Sequence, residues 1–209
     1  MDIQSFLVGF FGGSAIEIIA SLAGFICVFL IIRRNIWCWP IGLVQVALYM
    51  IVFYDAKLYS DFILHGIYVV MQFYGWWYWL QGRGQDDDLV VLPTALPMTL
   101  LWVAVAILGS FGLGYVMSTY TDASLPYPDA FTTVASLVAQ WLLSRRQLIN
   151  WGFWIAVDIV AIGVYWQKGL YPTTVLYATF LVMASAGLMV WLRRYQTQML
   201  EMKAEYAKA

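Results

Sequence analysis

Arg33-Arg34-Asn35-Ile36-Trp37-Cys38-Trp39 is written a second time, 112 positions later, as Arg145-Arg146-Gln147-Leu148-Ile149-Asn150-Trp151. The register continues without a gap: Leu58-Tyr59 returns as Leu170-Tyr171, Leu64 as Leu176, Gly75 as Gly187, and Trp79-Leu80 as Trp191-Leu192. The chain therefore carries a duplicated module. In a strongly apolar chain, duplication around a shared axis is the mark of a transporter, with the substrate site between the two copies.

Composition identifies the solvent. The 209 residues are 63% hydrophobic and 11% charged, with a mean hydropathy of +0.75, far from the soluble norm of about half apolar and a quarter charged. Seven stretches are long and apolar enough to cross a hydrocarbon core of about 30 Å: Gly12 to Ile32, Trp37 to Tyr54, Phe62 to Leu80, Met98 to Met117, Pro128 to Leu143, Ile149 to Trp166 and Thr173 to Leu192. Pro40, Pro97, Pro128 and Pro172 fall in first helical turns, where a missing N–H costs little, while Pro93 and Pro126 fall in linkers. No basic stretch with a small-residue cleavage site opens the chain, so no removable signal peptide is expected. Cys27 and Cys38 form no recognisable framework.

If the odd-numbered spans start outside, the outer face carries Lys57 and Lys168. The inner face then carries Arg33, Arg34, Arg83, Arg145, Arg146, Arg193, Arg194, Lys203 and Lys208. This bias places the N-terminus outside and the C-terminus in the cytoplasm of a bacterial inner membrane protein; the acidic run Asp86 to Asp88 has little weight in such a count. Because the period covers four spans, both copies enter the membrane in the same direction. The expected fold is all-α, seven transmembrane helices arranged as two parallel three-helix repeats, residues 12–80 and 128–192. Residues 81–127 form the linkers and a connector helix, and residues 193–209 a cytoplasmic tail.

Polar side chains inside spans carry the chemistry, since each costs a few kcal/mol unless it meets a partner or a water-filled cavity. Asp129, Thr133, Ser136 and Gln140 form one helical stripe in span five, echoed by Glu17, Ser21 and Gly24 in span one. The two acids read either as a vestibule that attracts a cation or as carboxylates stabilised at a helix N-terminus. In span six, Trp151, Trp154, Asp158 and Tyr165 share a face. Indole beside carboxylate suits a flat cationic ring, through stacking and a cation–π attraction of about 0.5 to 2 kcal/mol. An interfacial aromatic belt explains Trp151 equally well but does not explain Asp158, halfway along the helix. Span three aligns His65, Tyr68, Gln72, Trp76 and Trp79; span two aligns Trp39, Gly42, Gln45 and Tyr49. Trp76 and Trp79 lie where a belt is expected, and a lone buried histidine is commonly a structural donor.

The string Asn35-Ile-Trp37-Cys-Trp39-Pro40-Ile-Gly42, then Leu58-Tyr59-Ser-Asp61, Tyr74-Gly75-Trp76, Asn150-Trp151-Gly-Phe-Trp154 and Lys168-Gly169-Leu170-Tyr171 resembles the PnuC-type vitamin transporters over roughly residues 12 to 194. The resemblance implies a SWEET-like three-plus-one-plus-three plan. It also implies facilitated diffusion of an unphosphorylated, water-soluble vitamin that a cytosolic kinase then traps by phosphorylation. The substrate set is expected to comprise Trp154, Asp158, Trp151, Gln45, His65, Tyr68, Gln72, Gln140, Glu17 and Tyr49.

Nicotinamide riboside members carry Gln where this chain has His65 and Asn where it has Asp158. A carboxylate accepts from an amino group and offsets a positive ring, so thiamine, the vitamin of the PnuT branch, is preferred. Nicotinamide riboside is the alternative, and a proton-coupled carrier using Glu17 and Asp158 is the other. One His, two dispersed Cys and no metal-ligand spacing argue against a membrane enzyme. No cofactor, metal or nucleic acid is expected; a homo-oligomer is compatible with the chain.

Overall fold

Backbone groups entering hydrocarbon must find partners within their own segment, which leaves helices as the solution for separate apolar runs. The computed structural model describes residues 3–11, 14–55, 57, 59–82 and 89–206, with Tyr59, Ser60, Glu205 and Tyr206 described by backbone alone. The expectations on Gly12, Leu58, Arg83, Asp86 to Asp88 and Lys208 lie outside the described residues. The described chain is all-helical: α1 Ile3–Phe11, α2 Ala15–Ile32, α3 Cys38–Asp55, α4 Tyr59–Gln81, α5 Leu96–Tyr120, α6 Pro126–Ser144, α7 Asn150–Gln167 and α8 Tyr171–Tyr206.

Three boundaries differ from the sequence reading. α1 was not expected as a separate element. Pro126 opens α6 instead of lying in a linker, as a residue with no N–H to satisfy can at a first helical position. The 36-residue α8, about 54 Å long at 1.5 Å per residue, runs straight through Leu192. Residues from Arg193 onward are mostly good helix formers and continue it as one rod.

By length and apolarity alone, α2, α3, α5 and α8 qualify as membrane-crossing helices among the described residues. α4, α6 and α7 are the helices bearing His65, Gln72, Gln140 and Asp158, and such side chains lower the mean hydropathy of a segment that otherwise has the required length.

The 112-residue register is visible in the backbone. α3 and α7 are both 18 residues long, and α4 and α8 begin at Tyr59 and Tyr171. Arg34 (φ 56°) and Arg146 (φ 59°) turn the chain in the left-handed region, as do Lys57 (φ 59°) and Gly169 (φ 71°). At the first of these corners Arg34 N donates to Ile31 O at 2.9 Å and Asn35 N to Leu30 O at 2.9 Å. At the second, Arg146 N donates to Leu143 O at 2.9 Å and Gln147 N to Leu142 O at 2.9 Å. Both are Schellman endings, whose paired bonds satisfy the last helical carbonyls and hold a residue type other than glycine at positive φ.

Packing repeats as well. α2 lies on α3 and α3 on α4, α6 lies on α7 and α7 on α8, while α4 meets α6 and α2 meets α8. Gly75 and Gly187 are the close-approach points: a Cβ there would run into the rings of Trp39 and Trp151, respectively. Four indoles form a continuous buried chain. Trp39 meets Trp79 edge-on at 5.2 Å, Trp79 meets Trp191 at 6.1 Å, and Trp191 meets Trp151 edge-on at 5.7 Å. Trp79 Nε1 donates to Leu143 O at 3.2 Å and Trp191 Nε1 to Ile31 O at 3.0 Å, so each half closes a helix end of the other.

The segment expected as a plain linker before α5 is packed in its second part. Leu92 bridges in parallel to Gln147, with Leu92 N donating to Arg146 O at 2.9 Å and Leu148 N to Leu92 O at 3.0 Å. Leu89 and Val91 are buried against the tryptophan cluster.

Candidate substrate cavity

Wherever four helices converge on small residues, side chains from neighbouring helices can enter the gap between them. Gly24 leaves room for the Gln45 amide, and Gly42 for the Gln72 amide. These notches open onto a cavity of about 690 Å³ bordered by α2, α3, α4, α6, α7 and α8. Gln45, Tyr49, His65, Tyr68, Gln72, Gln140, Trp151, Trp154 and Asp158 all border it, so nine residues singled out in the sequence come together in space.

Glu17 does not join them. It sits in the first turn of α2, where its carboxylate accepts from Ser14 N at 2.8 Å while Ser14 Oγ accepts from Glu17 N at 3.2 Å. This capping box satisfies two orphan donors and holds the carboxylate at the helix end. Asp129 is likewise outside, paired with Lys168 at 3.2 Å in the first turn of α6.

Four of the cavity's hydroxyls, those of Tyr68, Ser136, Tyr49 and Ser21, are committed to the protein. Tyr68 OH donates to Ser136 Oγ at 2.6 Å, since that oxygen spends its own proton on Thr133 O at 2.9 Å. Tyr49 OH meets Ser21 Oγ at 2.9 Å, and Ser21 Oγ donates to Phe11 O at 2.9 Å. His65 Nδ1 lies 2.9 Å from Asp61 O; a carbonyl only accepts, so Nδ1 carries the proton and Nε2 is the acceptor of the neutral ring.

The amides and the carboxylate are not committed. Among the described residues Gln45, Gln72, Gln140 and Asp158 make no side-chain hydrogen bond or ion pair. Asp158 is only 4% exposed. The indole N–H groups of Trp39 and Trp151 are also buried without a protein partner, and both residues border the cavity at its tryptophan floor. Unpaired buried polar groups cost about 1 to 3 kcal/mol each, so a cavity lined with several of them is arranged for water or a polar ligand.

At the opposite end stand two ring pairs in the same register: Phe53 with His65 at 4.7 Å, and Tyr165 with Tyr177 at 5.1 Å. Tyr177, Phe53, Asp61 and Thr173 border the cavity without having been singled out as substrate residues. The repeat was the signal that finds one of them, because Tyr177 is the 112-residue counterpart of His65.

An apolar helix bundle with a cavity between its two halves, into which amides, a carboxylate and indoles project, has the build of a small-molecule transporter. The chain belongs to the nicotinamide mononucleotide transporter family, whose model matches residues 14–193. It is similar to the nicotinamide riboside transporter PnuC of Escherichia coli (strain K12), 26% identical over 86% of this chain and 85% of that one. PnuC of Neisseria mucosa is 28% identical over 91% and 77%. The riboflavin/roseoflavin transporter RibM of Streptomyces davaonensis is 23% identical over 84% and 83%. A crystal structure of the vitamin B3 transporter PnuC superposes with a TM-score of 0.73 at 26% identity, covering 93% of this chain and 88% of that one. These relatives are transporters, and none of them is named for thiamine.

Proposed function

We propose that the chain is a facilitator that carries a cationic vitamin of the nicotinamide riboside kind, in unphosphorylated form, through the central cavity. The observation that carries this reading is the set of three unpaired amides, Gln45, Gln72 and Gln140, bordering one cavity with Trp154 and Asp158. A carboxamide and sugar hydroxyls each need both donors and acceptors, which amides provide together. The positive pyridinium ring finds an indole plate in Trp154 and a compensating charge in Asp158.

The sequence favours thiamine through two positions, His65 and Asp158, where nicotinamide riboside members carry amides. A carboxylate serves either cation, whereas three amides suit the one with a carboxamide and a ribose. The names of the relatives agree with that choice.

In this reading seven of the helices, α2 to α8, cross the inner membrane. α2–α4 and α6–α8 form two parallel repeats joined by α5, with the C-terminus in the cytoplasm. A cytosolic kinase that phosphorylates the vitamin would keep the gradient directed inward.

Titration calorimetry of the purified protein with nicotinamide riboside, thiamine and riboflavin tests the assignment. Nicotinamide riboside should bind most tightly, and replacing Gln72 or Gln140 by Leu should weaken it. Tighter binding of thiamine or of neutral riboflavin would overturn the reading.

A further inference from the structure

We propose that Ala184 sets which ligand the cavity takes, by keeping one face of the Trp154 indole clear for a flat cationic ring, so that the ring enters in one orientation only. The assignment rests on the cavity being a vitamin path. Ala184 borders that cavity but carries no polar group, so no stripe in the sequence marks it.

The two repeats build the tryptophan floor alike and diverge one helical turn further on. At the floor Trp39 of α3 lies over Gly75 of α4, and Trp151 of α7 lies over Gly187 of α8. One turn along, the counterparts are Gly42 with Gln72 in the first repeat and Trp154 with Ala184 in the second. In the first repeat the long side chain comes from α4. A Cβ at Gly42 would meet the Gln72 amide, so the protein fills this niche itself. In the second repeat the sizes are exchanged. Trp154 supplies the bulk from α7, and Ala184, 3% exposed, ends at its Cβ where Gln72 extends to an amide. A longer side chain at position 184 would lie against Trp154 as Gln72 lies against Gly42.

The next layer diverges in the same sense. Gln45 lays its amide over Gly24, whereas their counterparts, Val157 and Ser136, include no amide. Val46 is the counterpart of Asp158, so the carboxylate also belongs to one repeat alone. The open niche, the indole and the charge thus fall together in the second repeat. Gln45 and Gln72 fall in the first, and Gln140 stands on α6, the helix that packs against α4. An indole face left free of protein atoms is available for stacking and cation–π attraction. A vitamin whose ring rests on Trp154 turns its carboxamide or hydroxyls toward the amides, which donate and accept. Turned round, the ring would meet a niche that Gln72 already occupies.

A series at position 184 in the full chain, titrated by calorimetry with nicotinamide riboside, thiamine and riboflavin, tests the assignment. Binding should weaken by less than about threefold with Ala184→Ser and by more than about tenfold with Ala184→Gln, the loss expected when an aromatic contact is covered. Ala184→Val should fall between them, and it serves where Gln prevents folding. The vitamin that the wild type binds most tightly decides the substrate, and the series is read with that vitamin, so the two readings can fail separately. Thermal unfolding without ligand gives a second measurement. Ala184→Gln and Trp154→Gly should each lower the unfolding temperature. The double variant Trp154→Gly/Ala184→Gln, which rebuilds the first repeat's niche in the second, should lose much less than the two single losses combined. Undiminished binding by Ala184→Gln, or losses in unfolding temperature that simply add, would overturn the proposal.

Discussion

Among the described residues no cation of the protein stands beside the buried Asp158, and such a carboxyl either takes up a proton or has its charge offset by water or a ligand. Replacing it by Ala should weaken a cationic ligand such as nicotinamide riboside by about 1 to 3 kcal/mol, the range for a charge-assisted contact. Neutral dihydronicotinamide riboside should lose far less. Equal losses in calorimetry for the charged and neutral ligands would show that Asp158 serves the bundle and not the substrate. Two glycines separate binding from folding in the same way. A Cβ at Gly42 meets the far end of the Gln72 side chain and Cys27 Sγ, so Gly42→Ala should re-aim one amide and weaken ligand binding by about 1 kcal/mol, leaving the fold intact. A Cβ at Gly75 meets the Trp39 ring, which is 1% exposed and has nowhere to move. Gly75→Ala should therefore destabilise the protein by about 1 to 3 kcal/mol, as overpacking does. Thermal unfolding in detergent checks both; a stability loss for Gly42→Ala as large as for Gly75→Ala would contradict the distinction.

Between elements, the decisive joints are indole hydrogen bonds that cross from one half to the other. Trp79→Phe or Trp191→Phe removes one such bond and leaves a buried carbonyl short of a partner, costing about 1 to 2 kcal/mol beyond the lost ring volume. Trp39→Phe removes an N–H that has no protein partner, so the ligand-free protein should lose less than it does with Trp79→Phe. Unfolding midpoints of the three variants would rank otherwise if the tryptophan chain worked by packing alone. The duplication that positions these indoles was legible because Arg33-Arg34, Trp39 and Gly75 recur with one spacing, and the spacing fixes helix starts to within a few residues. The cavity lining was legible from single-faced stripes such as His65, Tyr68 and Gln72, since helical periodicity alone brings them to one side. What escaped depends on partners distant in sequence. Nothing in Leu89 to Leu92 announces that it will bridge to Gln147, and nothing in Arg145 says that it will reach Tyr74. Glu17 looked like the equal of a cavity acid because its capping partner, Ser14, was not weighed against its place in the stripe. The run from Arg193 was read as a tail because charge ends a membrane span, although charge does not end a helix.

For the whole molecule, charge decides orientation and driving force. The basic corners Arg33-Arg34 and Arg145-Arg146 lie at one end of the bundle and Lys57 and Lys168 at the loops of the other, the asymmetry that retains an end in the cytoplasm. A single cysteine placed next to Lys168 should react with an impermeant maleimide from outside intact cells, and one next to Arg145 should not; the reverse pattern would invert the protein. Energy coupling follows from which groups can pass a proton along the path. A relay needs titratable side chains spaced from one face to the other. Of the two acids that the sequence offers for it, Glu17 is held in its capping box away from the cavity. Asp158 stands alone at mid-depth, with Asp61 and His65 toward one end and the amides and indoles of Gln72, Gln140, Trp39 and Trp151 toward the other. Amides and indoles do not titrate near neutral pH, so among the described residues bordering the inner half of the cavity there is no carboxylate or histidine to carry a proton onward. In proteoliposomes, an imposed proton gradient should therefore leave the initial rate of nicotinamide riboside uptake unchanged. Net flux should follow the substrate gradient in either direction, in the wild type and in Asp158→Asn alike. A several-fold acceleration by an inwardly directed proton gradient, lost in Asp158→Asn, would establish coupling through that carboxylate and end the case for simple facilitation.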